Sequence, residues 1–261
     1  SPLLNRAIST YTPGSVFKLV GAVAAVKSGL ENNHYRCEGS FEIDKRNFSC
    51  WVRAKGMNGH GDLDLQGAIK TSCNCYFYQL GIDLGSDKIY DTAKLLGFDG
   101  ATGIELPEES TGLVVSDSHR HSMDIQEWTN GHTANIVIGQ GEVTASPLQI
   151  ASMSAAIANG GTVWLPHMVK GAPMERAESH GVLTKEILDP VRKGMWELVH
   201  GAVGTGKRAK SEIIEIAGKT GTAQQWRHIS GKSQPVQDNI AWFTAFAPYA
   251  APRFAITVMV Q

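Results

Sequence analysis

A serine and a lysine, Ser15 and Lys18, lie three residues apart at the predicted start of a helix, within TYTPGSVFKLV. Side chains at this spacing share one face of a helix, so the two groups can lie close together. A serine hydroxyl becomes a nucleophile when a neighbouring base takes its proton, and a lysine can be that base when its pKa is lowered. The pair indicates covalent catalysis, although a helix-capping serine beside a surface lysine would have the same spacing.

Two further groups of polar residues have the types and order that would complete such a site. Ser72 and Asn74 flank a cysteine between two predicted helices, where a hydroxyl could relay a proton and an amide could bind a substrate carbonyl. The run KTGT, residues 219–222, lies in a predicted strand, and Gly221 lets a substrate backbone approach that strand. Each group alone is a weak signal, but the ordered set S-x-x-K, S-x-N and K-T-G is a specific one.

Helices are predicted through most of the chain before these last residues. Helical periodicity follows Ser15, flanks Ser72, and returns in DKIYDTAKLLG, ASPLQIASMSAAIANGG and TKEILDPVRKGMWELVHG. Ser146 is a predicted N-cap with Pro147 at the first helical position, and Pro190 is predicted to kink or restart the last helix. The helices are therefore expected to position the first two polar groups.

The last fifty residues change from helical to strand-like patterning. Three strand-like segments, in EIIEIAGKTGTAQQW, NIAWFTAFAP and RFAITVMVQ, follow one another through loops, which predicts an antiparallel sheet. Residues 35–61 are predicted to be irregular, and residues 108–135 are predicted to form a surface excursion. The fold class predicted is α+β, an antiparallel sheet flanked by helices in a sandwich, with residues 1–261 as one domain.

The composition is that of an ordinary globular protein. Of the 261 residues 42% are hydrophobic and 19% charged, and the formal net charge of −1 gives no sign of a nucleic-acid partner. The longest weakly polar run, FKLVGAVAAVKSGL, holds two lysines and is shorter than the roughly 20 apolar residues that span a bilayer. The chain is interpreted as an excised fragment that lacks an N-terminal anchor and pedestal.

With these motifs in place, the sequence resembles the transpeptidase domain of class B penicillin-binding proteins, most closely the elongation type. The stretches that carry the resemblance cover nearly the whole chain: PLLNRA, TYTPGSVFKLV, TSCNCYFYQLG, TGIELPEESTG, IGQGEVTASPLQIA, IAGKTGTAQ and AWFTAFAPY. The resemblance implies the penicillin-binding and β-lactamase-like fold. It also implies a serine-type D-Ala-D-Ala transpeptidase that cross-links peptidoglycan in cell-wall elongation, maintains cell shape, is acylated by β-lactams and needs no catalytic cofactor.

The resemblance assigns a role to each polar residue of the three motifs. Ser15 would attack the penultimate D-alanine carbonyl of a stem peptide, and Lys18 would take its proton. Ser72 would pass a proton to the leaving D-alanine, with Lys219 tuning the local field, and Asn74 would hold the substrate amide. The remaining residues are expected to act at the strand, where Thr220 and Thr222 would receive the terminal carboxylate and the backbone N–H groups of Ser15 and Thr222 would form the oxyanion hole.

Partners, location and alternative functions also follow from the resemblance. The expected ligands are peptidoglycan stem peptides and β-lactams, and the expected partners are a membrane glycan polymerase and the elongation machinery. The domain would lie on the periplasmic face of the inner membrane. The alternatives are a DD-carboxypeptidase or β-lactamase-like hydrolase and a non-catalytic β-lactam sensor. The intact motifs argue against a dead scaffold, and no residue stands out as a deacylating base.

Three of the four cysteines, with one histidine, form a candidate metal site. Cys37, Cys50, His60 and Cys73 supply three thiols and an imidazole, a set that suits tetrahedral Zn²⁺. Some elongation-type relatives look to have zinc ligands at matching places, with acids where this chain has Cys37 and Cys50. A Cys37–Cys50 disulfide and free buried thiols are the alternatives. Cys75 is expected to point away from Cys73 into the core.

Two other stretches resemble functional motifs only superficially. GAVGTGKR, residues 201–208, nearly fits a phosphate-binding loop, but Arg208 stands where Ser or Thr should hold Mg²⁺, and the stretch follows a predicted helix. It is therefore assigned to a loop. His119 and His121, in SHRHS, could bind a metal, but a solvated loop is the favoured interpretation.

Overall fold

A computed structural model describes residues 4–177, 182–227 and 236–261, together forming an α+β fold. Within these residues the α-helices are α1 (Lys18–Lys27), α2 (Leu65–Thr71), α3 (Asn74–Leu84), α4 (Ser86–Leu95), α5 (Asn130–Val137), α6 (Pro147–Asn159) and α7 (Lys185–His200). The strands are β1 (Tyr35–Cys37), β2 (Ser40–Ile43), β3 (Arg46–Ser49), β4 (Gly61–Leu63), β5 (Leu113–Val114), β6 (Val143–Thr144), β7 (Ala217–Arg227), β8 (Val236–Ala247) and β9 (Phe254–Val260). No helix in the described part of the chain is long and apolar enough to cross a membrane.

The three strands predicted at the end of the chain form an antiparallel sheet in the order β7–β8–β9. The register places Lys219 opposite Thr244 and Gly221 opposite Trp242. Helices α6 and α7 pack against this sheet, so the predicted α+β class with a helix-flanked antiparallel sheet is confirmed. Strand β9 leaves apolar side chains such as Phe254 and Ile256 exposed.

Helix α1 is the centre of the helical layer. It contacts α2, α3, α4, α5 and α7, and eight of its ten residues are buried, so it is apolar except at the buried Lys18 and the exposed Lys27 at its end. Ser15 precedes it in a 3₁₀ turn, Gly14–Val16, and neither that turn nor α1 has a side-chain cap. Ser15 is therefore not a helix-capping serine, and its hydroxyl remains available for other contacts.

The predicted break at Ser72 separates helices α2 and α3. Asp64 caps the start of α2 by accepting a hydrogen bond from the Gly67 N–H, and Ser72 ends it with a φ of 53°, in the left-handed region. The Cys73 sulfur accepts the Tyr76 N–H and so caps α3. A non-glycine residue in the left-handed region is uncommon, and it marks Ser72 as a residue held there by its surroundings.

Other predictions met mixed outcomes. Helix α6 has the predicted Ser146 cap, completed by the side chain of Gln149 in a capping box, with Pro147 at its start. The alternative that Pro190 restarts the last helix was wrong, because α7 runs through it as one helix, and the alternative of a kink stays a prediction. The buried residues Leu188 and Val191 on either side pack into the core and outweigh the missing N–H.

The two segments predicted to be irregular or on the surface contain defined structure. Residues 35–61 form β1, the β2–β3 hairpin and a 3₁₀ helix, Trp51–Lys55, before β1 pairs with β4. Residues 108–135 include an exposed 3₁₀ helix, Asp117–Met123, but also β5 and the start of α5. Their strands are only two to four residues long, which is too short for sequence periodicity to reveal.

Candidate active site and metal centre

The three polar motifs meet at one cavity of about 1340 Å³. Its lining includes Ser15 from the first motif and Ser72 and Asn74 from the second. Strand β7 contributes Thr220, Gly221 and Thr222. The structure therefore brings together residues that are far apart in the chain, and it places the side chains of Lys18 and Lys219 in the protein interior beneath them.

The Lys18 amine is fully buried beside the second motif. Its Nζ donates to the Ser72 carbonyl oxygen at 2.8 Å and to Asn74 Oδ1 at 2.6 Å, and it lies 5.6 Å from the centre of the Phe77 ring. Burial lowers the pKa of Lys18 to about 8, although charge on the sulfur of Cys73 limits the fall. A lysine with this pKa can exist as the free amine near neutral pH, as a general base requires.

The Lys219 amine is the second buried cation of the site. Its Nζ donates to Ser72 Oγ and to the Thr220 carbonyl oxygen, both at 2.8 Å. Burial, together with the positive charge of Lys18, holds the pKa of Lys219 well below its usual value. Ser72 therefore lies between two lysines, of which Lys18 binds its carbonyl oxygen and Lys219 its hydroxyl. Because both amines are buried and would repel each other, they do not both carry a positive charge easily.

The amide of Asn74 is largely engaged by the protein itself. Besides accepting from Lys18, it donates through Nδ2 to the Ser49 carbonyl oxygen at 3.2 Å. An amide nitrogen carries two N–H groups, and the Tyr78 hydroxyl also hydrogen-bonds this side chain, so a ligand would have to share or replace one of these contacts. Sequence reasoning expected Asn74 to hold a substrate amide; the structure adds that Asn74 also positions the Lys18 amine.

Close backbone packing fixes Ser15 against strand β7. Gly14 has a φ of 56°, and a Cβ added there would lie 2.6 Å from the Thr222 carbonyl oxygen. The Gly14 N–H also donates to the Gly139 carbonyl oxygen at 2.8 Å. Only glycine allows this approach, so the 3₁₀ turn that carries Ser15 is pressed directly onto the strand that carries Thr222.

Thr205 is a site residue that the sequence did not reveal. Its hydroxyl lies 2.8 Å from the hydroxyl of Thr220, and both side chains line the cavity. Thr205 belongs to GAVGTGKR, which lies in turns and a short 3₁₀ helix, as the loop prediction implied. Its N–H donates to the Lys70 carbonyl oxygen on α2, a long-range contact that no local sequence signal announces.

The predicted metal ligands form a compact cluster behind the second motif. One ligand atom from each lies within 4.8 Å of the others, in the group Cys37, Cys50, His60 and Cys73. Cys50 Sγ lies 4.0 Å from Cys73 Sγ, and His60 Nδ1 lies 3.6 Å from the sulfurs of both Cys37 and Cys50. Tetrahedral zinc at ordinary bond lengths needs about 3.8 Å between sulfurs and about 3.5 Å from sulfur to nitrogen. The residues present therefore fit zinc.

Of the two alternatives for the cysteines, the structure disfavours the disulfide and is compatible with free buried thiols. All four cysteines are free, so Cys37 and Cys50 form no disulfide, and all four are buried. Cys75 is buried as predicted, but its thiol faces Cys37 and Cys50 instead of lying apart from the cluster, and those contacts raise its pKa. Cys75 lies outside the four-residue group that fits a metal.

Neither His119 nor His121 belongs to a group of three or more metal-ligating side chains in the described part of the chain. His119 Nδ1 lies 2.8 Å from Ser116 Oγ, and its ring stacks on Tyr90 with centres 4.0 Å apart. Among the described residues, the only group suited to a metal is the cysteine and histidine cluster behind the second motif. Packing against Tyr90 explains the presence of His119 without a metal.

Comparison with known proteins agrees with this geometry. The profile of the penicillin binding protein transpeptidase domain matches residues 1–261. The protein of Haemophilus influenzae described as peptidoglycan D,D-transpeptidase MrdA is 33% identical over 283 residues, covering 100% of this chain and 42% of the relative. Stage V sporulation protein D of Bacillus subtilis is 32% identical over 270 residues, covering 97% of this chain and 38% of that relative.

Solved structures give the same result. The penicillin-binding protein PBP2 of Helicobacter pylori superposes with a TM-score of 0.86 at 32% identity, covering 100% of this chain and 47% of that one. PBP2 of Pseudomonas aeruginosa, solved in complex with WCK 5153, has a TM-score of 0.82 at 31% identity, covering 99% of this chain and 58% of that one. The resemblance drawn from the motifs is confirmed. The chain spans about two fifths of the length of the curated relatives it matches.

Proposed function

The chain belongs to the penicillin-binding protein transpeptidase family, and from this premise we propose that it is the catalytic domain of a peptidoglycan DD-transpeptidase of the elongation type. The observation that supports this most directly is the convergence of two buried lysine amines on Ser72, beside the cavity that Ser15 lines. Such an arrangement supplies a nucleophile, a base and a proton relay within one cleft.

The first half-reaction acylates Ser15. Lys18, as the free amine, takes the Ser15 hydroxyl proton while Oγ attacks the carbonyl carbon of the penultimate D-alanine of a stem peptide. Negative charge develops on the carbonyl oxygen and is held by the backbone N–H groups of Ser15 and Thr222. Loss of one such donor typically lowers the rate by about 10²–10³-fold, which indicates how much depends on the seating of Ser15 against β7.

The leaving group then needs a proton. The Ser72 hydroxyl gives its proton to the nitrogen of the terminal D-alanine as the C–N bond breaks, and it recovers a proton from the Lys219 ammonium group, which becomes the free amine. The 2.8 Å contact between Lys219 Nζ and Ser72 Oγ supports this relay. D-Alanine departs and leaves the peptide as an ester on Ser15.

The second half-reaction transfers the acyl group. An amine of a second stem peptide attacks the ester and the new C–N bond forms, and the proton of that amine passes through the Ser72 hydroxyl back to Lys219. Lys18 returns its proton to Ser15 Oγ as the bond from that oxygen to carbon breaks. A β-lactam acylates Ser15 by the first route because its strained amide mimics D-Ala-D-Ala. The ring-opened β-lactam remains attached, so release is slow.

Three threonines suit the terminal carboxylate of the donor peptide. Thr220 and Thr222 lie on β7, and Thr205 joins them through its 2.8 Å hydroxyl contact with Thr220. Hydroxyl groups can donate to a carboxylate, and Lys219 lies directly below, bonded to the Thr220 carbonyl. Thr205 is thereby added to the expected carboxylate-binding pair.

A structural zinc ion is the cofactor that the cysteine cluster supports. Cys37, Cys50, His60 and Cys73 would hold it, and when bound it would cross-link the end of β1 to the residues that directly precede the 3₁₀ helix, β4 and α3, without entering the reaction. The Asn74 N–H donates to Cys50 Sγ at 3.3 Å, so the cluster contacts the second motif directly. The catalytic steps themselves need no cofactor.

Partners and location follow from the proposed activity. Peptidoglycan lies outside the cytoplasmic membrane, so the domain would act on the periplasmic face of the inner membrane, tethered by a segment outside these residues. A glycan polymerase and other elongation proteins are its proposed partners. PBP2 of Helicobacter pylori, which shares the fold with a TM-score of 0.87, has been solved in a complex with MreC.

Labelling with a fluorescent penicillin tests the proposal. We expect one covalent label per chain on the parent protein and none on Ser15→Ala. If the folded parent protein acquires no label, the enzyme interpretation is excluded and a non-catalytic scaffold remains. Rapid turnover of the label, instead of a long-lived adduct, would indicate a β-lactamase-like hydrolase.

A further inference from the structure

One wall of the active-site cavity carries positive charge that the proposed mechanism does not use. The wall is the 3₁₀ helix Trp51–Lys55, from which Arg53 and Lys55 line the cavity that also contains Ser15. Both side chains are exposed. Among the described residues of the lining, these are the only fully charged side chains, and no acidic one accompanies them.

The basic wall is held in place by the surrounding structure. Trp51 donates from Nε1 to the Thr71 carbonyl oxygen at 3.1 Å, next to Ser72, and the Lys55 amine lies 4.9 Å from the centre of the Trp51 ring. Arg53 donates from Nη1 to Ser40 Oγ at 2.9 Å. These contacts hold the Arg53 guanidinium against Ser40 and the Lys55 amine over the Trp51 ring.

Neither cation is neutralised within the protein. In the part of the chain that the structure describes, no carboxylate forms an ion pair with Arg53 or Lys55. A guanidinium has five N–H donors in a planar fork, and the bond to Ser40 uses one of its nitrogens, so donors remain that could bind a carboxylate in two places. A cleft lined by charge of one sign concentrates ligands of the opposite sign.

We propose that Arg53 and Lys55 form a subsite for a side-chain carboxylate of the stem peptide, distinct from the terminal carboxylate at Thr220. This inference rests on the proposed transpeptidase function. The cavity of about 1340 Å³ exceeds the roughly 300–1,000 Å³ of ordinary small-ligand pockets, so it has room for a peptide that extends from Ser15 to this wall. The subsite makes the enzyme selective for acidic over amidated peptides.

Two synthetic peptides ending in D-Ala-D-Ala test the subsite in the donor. They are identical except that one carries a free side-chain carboxylate and the other its carboxamide, and D-alanine release is measured. We expect kcat/KM to be at least about tenfold higher for the free acid, through a lower KM at a similar kcat. The double variant Arg53→Gln, Lys55→Gln should lose this preference. Arg46→Gln, an exposed arginine on β3 outside the cavity lining, is the matched control and should retain it.

A separate experiment tests the subsite in the acceptor peptide. The same acid and amide pair is supplied as amine acceptors to the acyl-enzyme formed on a neutral donor, and the yield of cross-linked product is compared. A preference in the donor arm assigns the subsite to the donor, and a preference in the acceptor arm assigns it to the acceptor. The proposal would be overturned if the acid and amide peptides react at equal rates in both experiments, or if the preference for the acid persists in the double variant.

Penicillin labelling separates this result from the proposed function. The double variant should still acquire label on Ser15 at close to the parent rate, because a penicillin lacks the additional side-chain carboxylate that the subsite is proposed to bind. Normal labelling and D-alanine release without any acid preference would refute the subsite and leave the transpeptidase intact. Loss of labelling in the parent protein would instead refute the transpeptidase itself.

Discussion

Lys219 Nζ lies 2.8 Å from Ser72 Oγ, while the amine of Lys18 binds the carbonyl oxygen of the same serine. One residue thus joins two buried amines through two different atoms. Because Ser72 adopts the left-handed region of backbone space at the end of α2, its carbonyl and hydroxyl can point to different lysines. The break between α2 and α3 is therefore part of the catalytic arrangement and not only a connection between helices.

Removing the Ser72 hydroxyl should slow acylation strongly. In Ser72→Ala, Lys219 loses its contact to the hydroxyl and the relay to the leaving group is broken, while Lys18 keeps the carbonyl contact. We expect the second-order rate of penicillin acylation to fall about 10²–10⁴-fold, measured by stopped-flow fluorescence. Ser122→Ala, in the exposed 3₁₀ helix, is the control and should react like the parent. A normal rate in Ser72→Ala would exclude the relay.

The rate of acylation should rise with pH through about 8. Burial lowers the pKa of Lys18 to about 8, and the free amine is the form that can accept a proton. Below this pH the amine is protonated and acylation slows; above it the base is available. Rates measured across neutral and alkaline pH at constant ionic strength test the sign. A rate that falls with rising pH over that range would contradict Lys18 as the base.

Loss of a cluster cysteine should remove the metal and weaken acylation together. Cys73→Ser is expected to lose zinc in native mass spectrometry and to acylate at least about tenfold more slowly, because Cys73 lies between Ser72 and Asn74. Cys75→Ala, the neighbouring buried thiol outside the four-residue group, should keep its metal. Normal metal content and normal labelling in Cys73→Ser would sink this link.

A methyl group at Gly14 should damage both the fold and the site. The Cβ would lie 2.6 Å from the Thr222 carbonyl oxygen, so Gly14→Ala must push the Ser15 turn away from β7. Gly29→Ala is the matched control, since Gly29 has a φ of 71° but nothing within 4 Å. We expect the control to lose only the roughly 1–2 kcal/mol of left-handed strain. Gly14→Ala should lose more stability in denaturant melts and also lose acylation.

The sequence indicated those features that depend on local pattern. The break at Ser72, the cap at Ser146 and the three final strands all follow from spacing and residue type. The grouping of Cys37 with Cys73 was predicted from ligand chemistry and family resemblance, and the structure brings these residues together.

Features that depend on long-range packing could not be predicted. Thr205 reaches Thr220 only because its loop binds α2, and α7 passes through Pro190 because buried neighbours hold it. Asn74 was expected to hold the substrate amide, and the structure adds that its side chain binds Lys18 across 56 positions of the chain. Such contacts produce no periodic pattern in the sequence, because the tertiary fold determines which residues meet.

The burial of two lysine amines has a cost that the fold carries permanently. Each amine could be fully hydrated in the unfolded chain, whereas in the folded protein their pKa values fall because the charged forms are disfavoured. At this site the requirements of catalysis oppose the stability of the folded protein. Lys219→Met should therefore melt at a higher temperature than the parent while failing to acylate. Selection for thermal stability alone would favour replacement of the buried lysines on which the reaction depends.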